Sequence, residues 1–285
     1  MSAVRDEASV QLLTLESGTG AFLDGALYEP ATSDVAATPM VIHLHGKGGN
    51  FYTGPGRFVP LLTRGRGIAH LSINFDCHDL GYVSYYPHAE ADGVRMRGGM
   101  WERIADGWKD VAGAVAFARA RGHDRVFLAG HSSGGFYAAD FAAGHGPIDG
   151  VVLLSPVVTF RSYLRTWFPD PSALEATAGR ARNMVDTGVG HYLIPLCASY
   201  YGISAESLLE RVGLPEDHLE QRLREIDCPL LLVWGEAESR NRLWSEIYER
   251  MDARATSRLT IPGAGHHYAG AEQRVADAIA AFVSP

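Results

Sequence analysis

The run LAGHSSGGFYAAD, residues 128–140, sets two serines side by side among glycines, after an apolar stretch and before an alanine-rich one. Gly130-His131-Ser132-Ser133-Gly134 fits G-x-S-x-G. In that pattern the middle residue occupies a tight strand-to-helix turn that lifts its hydroxyl above the sheet edge, and the flanking positions stay small because two backbones approach there. The register selects Ser132 as a nucleophile. Ser133 then opens the helix and offers its backbone N–H to a developing oxyanion, with its hydroxyl free to cap the helix. The same letters also describe a helix that merely starts on a serine cap, so the decision falls to the partners.

A serine hydroxyl is a weak nucleophile until a neighbouring base, itself oriented by a third group, takes its proton. IPGAGHHY follows the last apolar run and offers His266 as the base, with His267 as the alternative. LLLVWGEAES offers Glu238, three residues past Gly235, as the acid, with Glu236 as the alternative. A glutamate suffices, because the role is to accept the imidazole N–H and steady the imidazolium. The glycine-rich HLHGKGGN supplies a second oxyanion donor in the Lys47 amide, or in that of Gly48.

These residues need strand ends and loops to converge. Apolar runs read as strands at VQLLTLES, GAFLDGALYEP, PMVIHLHG, GIAHLSINFD, RVFLAG, GVVLLSP, CPLLLVWGE and SRLTIPGAG. Helical spacing marks 101–122, 133–144 and 271–283, the first with Ile104, Trp108, Val111 and Val115 on one stripe. Continuous apolar strands alternating with helices predict a mostly parallel eight-stranded sheet covered on both faces, an α/β class fold with an antiparallel start. The stretch 159–226 has helical patterning and no strand of that sheet, so it predicts an inserted helical cap on a core made of 1–158 and 227–285. A second long connection, 77–99, has the length of a functional lid.

Taken in order, the His-Gly loop after the third strand, the G-x-S-x-G turn after the fifth, Gly-x-x-acid after the seventh and Gly-x-Gly-His after the eighth resemble the α/β-hydrolase family from about residue 9 to 283. The resemblance implies Ser132 as nucleophile, His266 as base, Glu238 as acid, and Lys47 and Ser133 as oxyanion donors. The family more often carries Asp at the acid position.

The implied activity is serine hydrolysis of a carboxylic ester, lactone or thioester, of the carboxylic ester hydrolase kind. The same triad also serves C–C bond hydrolases, acyltransferases and natural-product cyclases. A scaffold with a broken triad would instead be a small-molecule receptor. Aromatic residues Trp167, Tyr192, Tyr200 and Tyr201, with Tyr85, Tyr86, His131 and His267, are the candidate walls of a pocket for a moderately hydrophobic small molecule.

The net charge of −8 opposes nucleic-acid binding. No apolar run approaches a membrane span, and MSAVRDEASV has no signal-like apolar segment, so a cytoplasmic monomer or homodimer is expected. Three scattered cysteines predict neither a disulfide framework nor a zinc site. His43 and His45 share a strand face but lack the further ligands of a metal site, and HGKGG lacks the Ser or Thr of a phosphate loop. No metal and no cofactor are expected. Arg95, Arg97 and Arg103 read as a solvated face rather than an anion site.

Overall fold

The structure, a computed structural model, describes residues 10–30, 34–85, 94–157, 159–160, 164, 167–168, 170–196, 202–240 and 257–284. Its main sheet has eight strands: β1 (Gln11–Glu16), β2 (Phe22–Tyr28), β3 (Met40–Leu44), β4 (Ala69–Ile73), β7 (Val126–His131), β8 (Gly150–Leu154), β11 (Leu230–Gly235) and β12 (Ser257–Ile261). The spatial order is β1-β2-β4-β3-β7-β8-β11-β12. The first two pairings, β1 with β2 and β2 with β4, are antiparallel, and the rest are parallel. All eight sequence-expected strands and all three expected helices are present.

The apolar runs divide by residue parity between two cores. Met40, Ile42, Leu44, Leu128, Val151, Leu153, Leu230 and Leu232 face α2 (Ile104–Ala120) and α3 (Ser133–Gly144). Val41, Phe127, Ala129, Val152, Leu154, Leu231 and Val233 face α1 (Pro55–Leu62) and α7 (Glu272–Val283). Every residue of β3, β7 and β8 is buried. A side chain of this size contributes roughly 1.5–3 kcal/mol when fully buried. A strand buried on both faces cannot alternate polar with apolar, which is why these runs are continuous.

Residues 77–99 hold an element that the sequence reading took as loop, a hairpin of β5 (Tyr82–Tyr85) and β6 (Val94–Arg97). The reading of Arg95, Arg97 and Arg103 as a solvated face fails at Arg97. Arg97 is buried and pairs with Asp76 and Asp110. Arg103 pairs with Glu206 and Glu210, and Arg95 is exposed. A guanidinium fork beside two carboxylates can be buried because its charge is paired there.

Within 159–226 the described residues form α4 (Pro171–Asp186), a two-stranded antiparallel ribbon of β9 (Leu193–Pro195) and β10 (Gly202–Ser204), α5 (Ala205–Gly213) and α6 (His218–Glu225). Leu164, Trp167, Phe168, Ile194, Ile203 and Leu208 make a separate apolar cluster there. Leu219 and Leu223 of α6 join the core over α3 instead. No helix among the described residues is long and apolar enough to cross a membrane.

Candidate active site

Strand β7 runs into α3 through Ser132, whose φ of 56° and ψ of −119° are rare for a residue with a side chain. The turn holds because nothing bulkier than glycine fits beside it. A Cβ on Gly130 would lie 2.2 Å from the Gly134 carbonyl oxygen, and one on Gly134 would lie 2.2 Å from that of Leu44. The Ser132 amide donates to the Leu154 carbonyl at 2.9 Å, and its own carbonyl accepts from Gly135 and Val157, each at 3.0 Å. The backbone is therefore fixed on both sides of the raised hydroxyl.

His266 follows β12, and its Nδ1–H donates to Glu238 Oε2 at 2.9 Å. Glu238 belongs to the 3-10 turn Glu236–Arg240 directly after β11. Gly235 allows that arrangement, since a Cβ there would meet the Ala264 carbonyl oxygen at 2.2 Å. The alternative acid points elsewhere: Glu236 is exposed and accepts from the Gly263 amide at 2.8 Å.

Two residues absent from the sequence reading, Ser155 and Tyr268, extend the network around the Glu238 carboxylate. Glu238 Oε1 accepts a short bond from the Ser155 hydroxyl and one from the Gly235 amide at 3.1 Å. Ser155 in turn contacts the Tyr268 hydroxyl at 2.7 Å, and the Val233 carbonyl lies 3.0 Å from the same hydroxyl. Ser155 has φ 44° and Tyr268 φ 56°, so with Ser132 three of the four non-glycine residues of positive φ among the described residues lie around one site. Such conformations cost roughly 1–3 kcal/mol each and persist where the surroundings over-determine them. Position 155 ends the sixth sheet strand in LLSP, a signal that was visible but carried no partner. Burial pushes the Glu238 carboxyl up, but the bonds from His266, Ser155 and Gly235 outweigh it and hold the group below its ordinary value.

His131, expected as a pocket wall, is instead buried behind the turn, and its Nε2–H donates to the His266 carbonyl at 2.8 Å. That bond ties the residue before Ser132 to the loop bearing His266. Burial, aided by the neighbouring His266, lowers its pKa to about 3, so it stays neutral. His267, the alternative base, is exposed, with its ring 5.6 Å from that of His131.

The loop after β3 lies against the elbow, with Gly46 so placed that a Cβ would be 3.0 Å from that of Ser132. The Gly48 amide, the alternative oxyanion donor, is taken by the Cys77 carbonyl at 2.9 Å. The Lys47 and Ser133 amides carry no such cross-link among the described residues. The Lys47 side chain turns away, donating to Glu102 at 2.9 Å and to the Gly99 carbonyl.

The remaining pocket candidates are scattered. Trp167 is buried in the 159–226 cluster, its ring 5.9 Å from Lys47 Nζ, while Tyr192 is exposed against His191. The Tyr85 side chain and residues Tyr86, Tyr200 and Tyr201 lie outside the described residues. Cavities of about 740, 410 and 160 Å³ open on the described residues, and none is lined by Ser132, His266 or Glu238. The first is lined by Arg97, Arg103 and Lys109, each already paired with a carboxylate. His43, weighed above as a metal ligand, instead donates from Nε2 to His70 Nδ1 at 2.9 Å. The Thr63 hydroxyl gives its proton to the Val59 carbonyl and so accepts from His70 Nε2. Among the described residues no group of three or more His, Cys, Asp or Glu could hold a metal ion.

A profile described as the alpha/beta hydrolase family matches residues 41–278. Among curated proteins no sequence relative is found. Solved structures with a similar fold include Est1E from Butyrivibrio proteoclasticus with ferulic acid bound, at 18% identity and TM-score 0.68, covering 95% of this chain and 97% of that one. A hypothetical protein from Pseudomonas aeruginosa is similar at 16% identity and TM-score 0.72, covering 99% and 95%. A dienelactone hydrolase from Anabaena variabilis is similar at 18% identity and TM-score 0.58, covering 97% of each chain.

Proposed function

Because the chain belongs to the alpha/beta hydrolase family, we propose that it is a serine hydrolase cleaving a carboxylic ester, lactone or thioester of a moderately hydrophobic small molecule. The observation that carries the reading is the His266–Glu238 hydrogen bond beside a left-handed Ser132. In this mechanism Ser132 Oγ attacks the carbonyl carbon while its proton passes to His266 Nε2. Glu238 holds the Nδ1–H and stabilises the imidazolium. The tetrahedral oxyanion accepts from the Lys47 and Ser133 amides. Its collapse expels the alcohol or thiol, which takes the proton from His266, and leaves an acyl-Ser132. Water, deprotonated by His266, then releases the acid and restores the serine. Segment 159–226 serves as the lid over this centre. The ferulic acid complex and the dienelactone hydrolase among the structural neighbours accord with an ester or lactone substrate.

The test is fluorophosphonate labelling with mass mapping, alongside p-nitrophenyl acetate turnover of the wild type and Ser132→Ala. Labelling at Ser132 and loss of nearly all turnover in the variant are expected. A folded wild type with neither label nor turnover would overturn the reading in favour of a non-catalytic receptor.

A further inference from the structure

The loop that carries the Lys47 amide is Gly46-Lys47-Gly48-Gly49, in which only one residue has a side chain. A glycine-rich loop has little stiffness of its own, and Gly48 has φ 70°. Backbone bonds restrain it, from the Gly48 amide to the Cys77 carbonyl and the Gly49 amide to that of Gly46, each at 2.9 Å, and from the Asp79 amide to the Gly49 carbonyl at 2.7 Å. A further restraint is the Lys47 ammonium, whose side chain is 6% exposed although a lysine normally seeks water.

The ammonium ends on Glu102, whose side chain is 0% exposed. The carboxylate of Glu102 accepts from Lys47 at 2.9 Å, from the Tyr137 hydroxyl of α3 at 2.6 Å, and from Arg211 of α5 in a short contact. Its backbone carbonyl accepts from the Ser207 hydroxyl of α5 at 2.8 Å and from Arg211 at 3.3 Å. One buried residue thus joins the oxyanion loop, the helix that begins at the nucleophile, and a helix of the 159–226 segment. None of its three charged members can exchange its partner for water, so the geometry of each is set by the other two. The mechanism above makes no use of this cluster.

We propose that Glu102 is a positioning residue that fixes the Lys47 amide at the distance a tetrahedral oxyanion requires, and that Arg211 transmits the seating of α5 to that amide. The proposal rests on the reading of Lys47 as an oxyanion donor. Its consequence is that the cluster acts on the transition state and not on substrate binding, although Arg211 is on a helix of the 159–226 segment.

The test uses the full chain. Wild type is first labelled with fluorophosphonate; if Ser132 does not react, the hydrolase reading itself fails and this inference falls with it. Given a reactive wild type, Lys47→Met, which keeps the amide and deletes the ammonium, is compared with Arg211→Met and the double variant. Each is assayed for kcat and KM on p-nitrophenyl acetate and for inhibition by phenylboronic acid, whose serine adduct mimics the oxyanion. Melting curves report folding. Lys47→Met is expected to lower kcat about tenfold, short of the loss on deleting an oxyanion donor. KM should change less than about twofold, and boronate affinity should fall by the kcat factor. The double variant should lose less than the product of the single losses, since both act through one carboxylate. Wild-type kcat and boronate affinity in folded Lys47→Met, or a loss confined to KM, would overturn the proposal. Should the methionine variants fail to fold, Tyr137→Phe and Arg211→Lys carry the test. A smaller kcat loss shared with boronate affinity in Tyr137→Phe, restored toward wild type in Arg211→Lys, supports it, and wild-type values in Tyr137→Phe refute it.

Discussion

Both oxygens of Glu238 are engaged, Oε2 by His266 and Oε1 by Ser155 and the Gly235 amide. Exchanging Glu238 for Gln keeps the shape but removes the charge that stabilises an imidazolium. Loss of kcat/KM by about 10²–10⁴-fold is expected for Glu238→Gln, whereas Glu236→Gln should stay within about twofold of wild type, and steady-state ester kinetics separate the two. Ser155→Ala tests the outer bond. It should lower stability by roughly 1.5–3 kcal/mol at pH 7, the range for a hydrogen bond to a charged group. The folded Glu238 carboxyl sits below its ordinary value, so this stabilisation is present above the unfolded carboxyl pKa near 4.3 and is lost as pH falls through the folded one. The wild-type and Ser155→Ala urea midpoints should therefore converge below pH 4. A gap that persists unchanged at acid pH would mean that Ser155 acts through packing alone. Ser132, Glu238 and His266 were legible because motif and strand position name them together. Ser155 and Tyr268 were not, since a serine ending one strand and a tyrosine two residues past the base share a bond only across the sheet edge.

At the scale of elements the elbow depends on backbone approach. A Cβ at Gly134 would meet the backbone oxygens of Leu44 and His45 at 2.2 and 2.6 Å, atoms that cannot rotate away. Gly134→Ala is expected to destabilise by about 2–3 kcal/mol and to depress labelling of Ser132 in the fraction that folds. Gly144→Ala, near the other end of the same helix, meets nothing within 4 Å and should leave both readings near wild type. Comparing thermal midpoints and labelling rates of the pair isolates the turn from general helix effects. Helix α3 was expected at 133–144 and is found there, because its start and stop are both local signals. The β5–β6 hairpin escaped notice because its strands are four residues each. Arg97, whose type predicts exposure, is buried against two carboxylates that come from 76 and 110.

Among the described residues the buried histidines include His43, His45, His70 and His131. Burial lowers the pKa of His43 and His131 to about 3, of His45 to about 4, and of His70 in the same direction. An unfolded histidine protonates near pH 6.5. Below that pH the unfolded chain therefore binds protons that the folded chain refuses, and stability falls by up to roughly 1.4 kcal/mol per pH unit for each histidine. Asp76 opposes this, since burial raises it to about 6 and lets the folded chain bind one proton that the unfolded chain lacks down to about pH 4. Four against one leaves a net loss. Urea midpoints should drop steeply between pH 6.5 and 4.5, and a flat profile over that interval would contradict the burial of neutral histidines.

What the sequence by itself determined is the order and type of the main-sheet elements and the identity of the residues at their ends. Those depend on runs of apolar residues and on glycines that only short-range geometry demands. The tertiary structure decided which of several nearby polar residues meet. It chose Glu238 over Glu236, removed Gly48 from the oxyanion candidates, turned His131 inward and sent the Lys47 side chain to Glu102. Each choice depends on groups far apart in the chain satisfying one another's hydrogen bonds where water is excluded, and spacing along a sequence does not encode that pairing.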